Sequence, residues 1–263
     1  KRRRQDRPFL LCLSYDEPHG PSVSPADYLE RFEGFEFPIG PGAGDDLKDK
    51  PEHQREWAEA LGLPDSNGIC RRDHYFACNS FVDHEIGRVL QAVEDFAPPN
   101  TWVIFTSDHG DMFGAHSLAG KGPAMYEEIS RIPFLIRPPS SFSAGGRVVA
   151  TPVSHLDLMP TMLEAAGVDV PPLLQGRSLL PAVRGEPLDP ERAVPIEFTR
   201  FSINHDGWGG YQPIRAIVKG DWKLVINLNS SDELYNLADD PCELRNLIGD
   251  ERTAEKRDDM HRA

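Results

Sequence analysis

No apolar run in this 263-residue sequence approaches the roughly 18 to 20 residues a bilayer span needs, so no membrane-spanning helix is expected. Cysteine is scarce. The four present (Cys12, Cys70, Cys78, Cys242) include no zinc-type pair, and they are too scattered for a disulfide framework. That usage points to a reducing, cytoplasmic setting. Positive charge is also short, with 28 Lys and Arg against 42 Asp and Glu and a net charge of −14. The resulting field repels nucleic acid and anionic membranes, which argues against both as partners. An anionic substrate would have to be captured by local cations. The basic start, Lys1 to Arg7, leads into an apolar run too short for a secretory signal and reads as a solvated linker.

What is present suits a packed α/β protein. The chain is long enough to bury a sizeable core, and its 39% apolar and 27% charged content is ordinary for a globular chain. Pro8 to Tyr15 is an apolar run of strand length, read as a fully buried strand that ends at Asp16-Glu17-Pro18-His19. Residues 34 to 70 read as a long loop carrying a short helix over Glu52 to Leu61. Apolar positions at helical spacing predict a helix from Arg72 to Phe96, stopped by Pro98-Pro99. Strands follow at Thr101 to Thr106 and Ile132 to Ile136, then a helix from His155 to Ala166 with Gly167 as its stop. This order predicts a sheet layered by helices. After about residue 190 a smaller antiparallel subdomain is expected. In it Ile214 to Val218 and Trp222 to Ile226 form a hairpin, and Glu233 to Leu237 a further strand.

The chemistry-bearing stretch runs from Thr101 to Pro139. A strand ends in Ser107-Asp108-His109-Gly110, and thirteen residues after Asp108 comes Lys121 between two glycines. A carboxylate and a neutral imidazole delivered at a strand end suit Mn²⁺, Zn²⁺ or Fe²⁺, and tolerate Ca²⁺ or Mg²⁺ when the other ligands are oxygens. The alternative for this pair is a turn cap and a packed histidine. A lysine in a glycine setting is a natural anion site, and its alternative is a solvated loop lysine. His116 could approach the site or simply pack, and His155 reads as structural.

The segment from Asp108 to Pro139 resembles the sulfatase family of the alkaline-phosphatase-like superfamily. The likeness continues through Val153 to Thr161, Leu174 to Pro181, Trp222-Lys223-Leu224 and Glu233 to Leu247. The resemblance implies an alkaline-phosphatase-like sandwich of a mixed sheet with helices on both faces, occupying residues 1–189, and a small C-terminal subdomain at 190–263. It implies that Asp108 and His109 hold a divalent metal, calcium first, with manganese or magnesium as alternatives. It implies that Lys121 binds the sulfate and the ester oxygen, and that His19 contacts the sulfate and protonates the leaving alcohol. Tyr211 to Arg215 is similar to a segment of sulfatases acting on amino sugars, so His205, Asp206 and Arg215 are candidates for reading the substrate.

The family's C/S-x-P-x-R nucleophile motif does not occur among these 263 residues, nor does its first pair of metal-binding aspartates. The chain therefore reads as the C-terminal part of a sulfatase acting on a small anionic sulfate ester, with turnover expected only in a longer parent. A phosphonate or phosphate ester hydrolase and a non-catalytic binding domain stay open as alternatives.

Overall fold

The computed structural model describes residues 8–38, 40–61, 72–142, 145–200 and 212–263. The chain divides into two compact units, Lys1–Pro38 with Arg71–Ala97, and Ile39–Cys70 with Pro98–Ala263.

The first unit pairs a short helix α1 (Ala26–Glu30) with a long helix α3 (Arg72–Phe96), whose bounds are those the periodicity predicts. Tyr28 of α1 is buried and meets Phe81 edge-on at 5.4 Å, and Cys78 approaches the Val23 carbonyl. The apolar stripe of α3 is only partly covered, with Phe76 and Leu90 exposed, because five residues of α1 cannot blanket a helix of 25. The expected buried strand over Pro8 to Tyr15 is not formed. The segment carries no strand pairing, and Leu10 is 82% and Leu11 66% exposed. A strand exists only as part of a ladder, and hydrophobic composition without a partner supplies none of its hydrogen bonds.

The second unit begins with helix α2 (Glu52–Leu61), placed where the sequence puts it. Strand β1 (Val103–Thr106) pairs antiparallel with β2 (Phe134–Arg137) in the register Val103↔Arg137 to Thr106↔Phe134. Strand β1 is half-buried, with Phe105 42% exposed. One turn of helix, α4 (Glu127–Ser130), precedes β2. Helix α5 (Leu158–Ala165) is entered through a 3-10 turn, His155–Asp157. Ser154 and Asp157 form its capping box, and the chain leaves near Gly167 at φ 70°. Asp157 is buried against Arg192 at 2.5 Å and accepts the Arg177 amide at 2.8 Å, which ties α5 to the segments on either side of helix α6 (Leu180–Arg184).

The C-terminal sheet is an antiparallel meander of β3 (Ala193–Arg200), β4 (Gln212–Lys219), β5 (Trp222–Asn227) and β6 (Glu233–Asn236), in that order. Lys219 pairs with Trp222 across a two-residue turn whose Gly220 has φ 57°, the left-handed backbone such hairpins need. Strand β3 escapes sequence reading because Pro195 interrupts its alternation. As the edge strand, it needs no ladder hydrogen bond at that position. Helix α7 (Ala254–Arg262) is polar almost throughout and docks by Met260 among Leu224 and Leu234. No described helix is long and apolar enough to cross a membrane.

Candidate cation and anion site

The site lies where β1 runs out. Ser107 and Asp108 leave the strand, and the turn at Gly110 is pulled onto α4 by a hydrogen bond from its amide to the Ile129 carbonyl at 2.8 Å. A methyl group at Gly110 would sit 1.9 Å from the Glu128 carbonyl oxygen, so only glycine permits this approach. The Asp108 carboxylate accepts the His109 amide at 2.9 Å and projects into solvent, its side chain 82% exposed. What burial it has works against ionisation, but the His109 amide and ring and the Ser107 hydroxyl outweigh this and hold the carboxyl below its ordinary range.

His109 is oriented from both sides. Its Nδ1 is 2.7 Å from the Gly110 carbonyl, which can only accept, so Nδ1 carries the proton. With the ring neutral, Nε2 is the lone-pair nitrogen, and Lys121 Nζ donates to it at 2.6 Å. Asp108 Oδ2 lies 3.3 Å from the same nitrogen. A lone-pair nitrogen and a carboxylate oxygen side by side fit a divalent cation, and the Lys121 ammonium is itself a positive charge held at that nitrogen. Among the described residues no group of three or more His, Cys, Asp or Glu gathers into a metal cage.

Lys121 is an exposed cation on buried backbone. Its neighbours Leu118, Ala119, Gly122 and Ala124 are buried, and Trp57, fully buried, lies flat enough against Gly122 that a methyl there would meet the indole at 2.7 Å. Met112, Leu118, Ala124, Tyr126, Trp57, Leu47 and Tyr235 form the core beneath the loop. Tyr126 donates to Gln54 at 2.6 Å, and burial first of all lifts the Tyr126 and Tyr235 phenols well above their ordinary range, keeping both neutral. His116 is fully buried, stacked on Tyr126 at 3.8 Å and held by Asp45 at 2.7 Å, so it packs and anchors. His155 bonds Thr106 Oγ1 at 3.0 Å through Nε2.

Asp108, His109 and Lys121 are thus brought together. His19 belongs to the first unit, in an exposed turn where its Nδ1 donates to the Gly20 carbonyl at 2.9 Å. Arg215 lies on β4 and spends its guanidinium on Glu197 at 3.0 Å and Thr199 at 3.2 Å across the ladder. His205 and Asp206 lie outside the described residues. Sequence reading missed Asp111, Gly110 and Trp57. The D-x-F spacing of an aspartate turn was the available signal for Asp111; the Trp57 contact spans 65 residues and left none.

Residues 1–168 match the family model described as Sulfatase, and residues 114–263 match one described as N-sulphoglucosamine sulphohydrolase, C-terminal. The chain is 50% identical over 261 residues to a protein of Escherichia coli (strain K12) named "Uncharacterized sulfatase YidJ", covering 99% of this chain and 51% of that protein. It is 30% identical to a choline-sulfatase of Rhizobium meliloti (strain 1021), covering 94% of this chain and 47% of that protein. Among solved structures it is similar to the phosphonate monoester hydrolase SpPMH from Silicibacter pomeroyi, with a TM-score of 0.76 and 26% identity over 93% of this chain and 53% of that one. That likeness gives the fold as alkaline-phosphatase-like α/β. The chain spans about half the length of the curated relatives it matches.

Proposed function

The chain belongs to the sulfatase family, and from that premise we propose that the protein is a sulfuric ester hydrolase acting on a small anionic sulfate monoester, such as a sulfated sugar or alcohol. The observation that carries this reading is the 2.6 Å contact between Lys121 Nζ and His109 Nε2 beside the Asp108 carboxylate. It sets an anion-binding group and a cation-binding pair within one hydrogen bond of each other.

In this reading Asp108 and His109 hold a divalent cation, which when bound supplies a fixed positive charge for the sulfate oxygens. Lys121 gives its ammonium to the ester, orienting the sulfate and stabilising charge that develops on the bridging oxygen as the S–O bond breaks. Gly122 on Trp57 keeps the Lys121 backbone from drifting, so the ammonium is already in place when substrate arrives. The family resemblance alone assigns to His19 the proton for the leaving alcohol. Arg215, His205 and Asp206 are proposed to read the alcohol because Tyr211 to Arg215 resembles a segment of sulfatases acting on amino sugars. The nucleophile comes from outside these 263 residues, so turnover belongs to a longer protein.

The similarity to a phosphonate monoester hydrolase supports a second reading, hydrolysis of a phosphonate or phosphate ester by the same groups. Assaying the full-length protein with added Ca²⁺ or Mn²⁺ on matched aryl sulfate and aryl phosphonate esters separates the two. We expect kcat/KM to favour the sulfate. A preference for the phosphonate would overturn the first reading, and robust sulfate turnover by residues 1–263 alone would overturn the assignment of the nucleophile.

A further inference from the structure

The loop that delivers Lys121 is held by one carboxylate that the reading above leaves unused. Between Asp111 and Gly120 the backbone turns through Phe113 at φ 48°, Gly114 at 93°, His116 at 52° and Ser117 at 56°, and Gly120 follows at 69°. Left-handed backbone at three non-glycine positions is unfavourable and persists only where surrounding contacts impose it. Those contacts sit at two places. At the tip, His116 is pinned by Asp45 at 2.7 Å, with its amide on the Gly42 carbonyl at 2.8 Å. At the base, Asp111 Oδ1 accepts the Phe113 amide at 2.9 Å and the Gly120 amide at 3.1 Å, while the Met112 amide reaches the Gly120 carbonyl at 2.9 Å.

The base contact spans the two halves of the site. Asp111 stands two residues beyond His109, and Gly120 stands one residue before Lys121. One oxygen atom therefore ties the backbone that carries the imidazole to the backbone that carries the ammonium. Without it, the base keeps the Met112 amide on the Gly120 carbonyl but loses the bonds that hold the Phe113 and Gly120 amides.

We propose that Asp111 is a positioning residue, whose carboxylate clamps the Phe113 and Gly120 amides and thereby fixes Lys121 Nζ on His109 Nε2. Its functional weight rests on Lys121 being the anion-binding group of the proposed hydrolase; the clamp itself does not. The chemistry required is a single acceptor oxygen with two lone pairs, which an asparagine side-chain oxygen also offers and a methyl group does not.

The test uses the full chain with Asp111→Ala, Asp111→Asn and Lys121→Met, read in two ways. Histidine ¹⁵N side-chain spectra report the state of His109 Nε2, and titration with inorganic sulfate reports anion binding. In Asp111→Ala the His109 Nε2 resonance is expected to move to its position in Lys121→Met, with sulfate affinity down about tenfold or more, the loss of one well-placed hydrogen bond. The His116 resonances, fixed at the loop tip, stay where they were. Asp111→Asn is expected to keep both readouts within twofold of the parent. An unmoved His109 resonance in Asp111→Ala overturns the proposal, as does displacement of the His116 resonances, which would make Asp111 a general folding residue. Asp111→Asn behaving like Asp111→Ala overturns it in favour of a charge effect. If Lys121→Met leaves sulfate affinity unchanged, the anion-binding reading fails, and the His109 resonance still decides the clamp.

Discussion

Lys121 Nζ lies 2.6 Å from His109 Nε2, and the proton on the opposite ring nitrogen is fixed by the Gly110 carbonyl at 2.7 Å. The imidazole therefore offers a lone pair to whatever cation stands at Nε2. Asp108 and His109 would hold a divalent ion through that lone pair and the carboxylate, and the ion would supply a fixed positive charge beside the Lys121 ammonium.

Removing the ammonium tests its place in the chemistry. Lys121→Ala in the full-length protein is expected to lower kcat by about 10²- to 10³-fold, the range for loss of one preorganised charge-stabilising donor. Steady-state kinetics on an aryl sulfate checks it, and a loss confined to KM would mean that the lysine only gathers substrate.

The cation pair is checked by calorimetric titration. Asp108→Asn is expected to weaken Ca²⁺ and Mn²⁺ binding by at least about tenfold. His109→Asn is expected to weaken Mn²⁺ more than Ca²⁺, because an amide oxygen suits calcium and an imidazole nitrogen suits manganese. Equal losses for both ions would remove His109 from the ligand set.

Gly122 tests the seat of Lys121. A Cβ there would come 2.7 Å from the Trp57 indole, so Gly122→Ala is expected to cost about 1–3 kcal/mol in urea denaturation. Trp57→Phe should recover part of that loss in the double variant, since the two side chains collide directly. Full additivity of the two would mean the contact is not felt.

Lys223 tests the bond between the C-terminal sheet and the site loop. Its ammonium is fully buried and meets the Met125 carbonyl at 2.8 Å, Glu127 at 2.7 Å and Glu243 at 2.8 Å. Burial holds the Glu243 carboxyl above its ordinary range, and Lys223 offsets this only in part. Lys223→Met leaves the buried Glu243 carboxylate without its cation and is expected to cost about 3–5 kcal/mol, read by chemical denaturation. A change below about 1 kcal/mol would mean that water replaces the ammonium.

Acid should destabilise the fold through His53. Burial pushes its pKa below the ordinary value, and its Nε2 lies 2.8 Å from the Pro123 carbonyl. At pH above about 6.5 the ring is neutral folded or unfolded and contributes nothing to the pH dependence. Below that, the unfolded chain takes a proton that the folded chain resists. Stability therefore falls with pH, by up to about 1.4 kcal/mol per unit, until the folded pKa is reached. His53→Gln is expected to flatten the difference between melts at pH 7.5 and 5.5, and an unchanged slope would assign the effect elsewhere.

Helices α2 and α3 and the β4–β5 hairpin were legible because each is a local pattern: apolar spacing, a proline stop, or a glycine in a two-residue turn. Pro8 to Tyr15 shows where such reading ends. Its composition is that of a strand, yet pairing is not a property of one segment, and the run lies exposed. Strand β3 shows the reverse: Pro195 breaks a strand pattern, and its place at the sheet edge makes the residue harmless. At the site, the sequence by itself singled out Asp108, His109 and Lys121 as candidates, because they stand in one short segment whose spacing resembles the family's. Their geometry was decided by tertiary structure. Trp57 sits under Gly122, Asp45 pins His116, and Lys50 meets Tyr235 and the Glu243 carbonyl across nearly the whole chain. Contacts between residues far apart in the chain depend on which surfaces the fold brings face to face, and no local pattern encodes that.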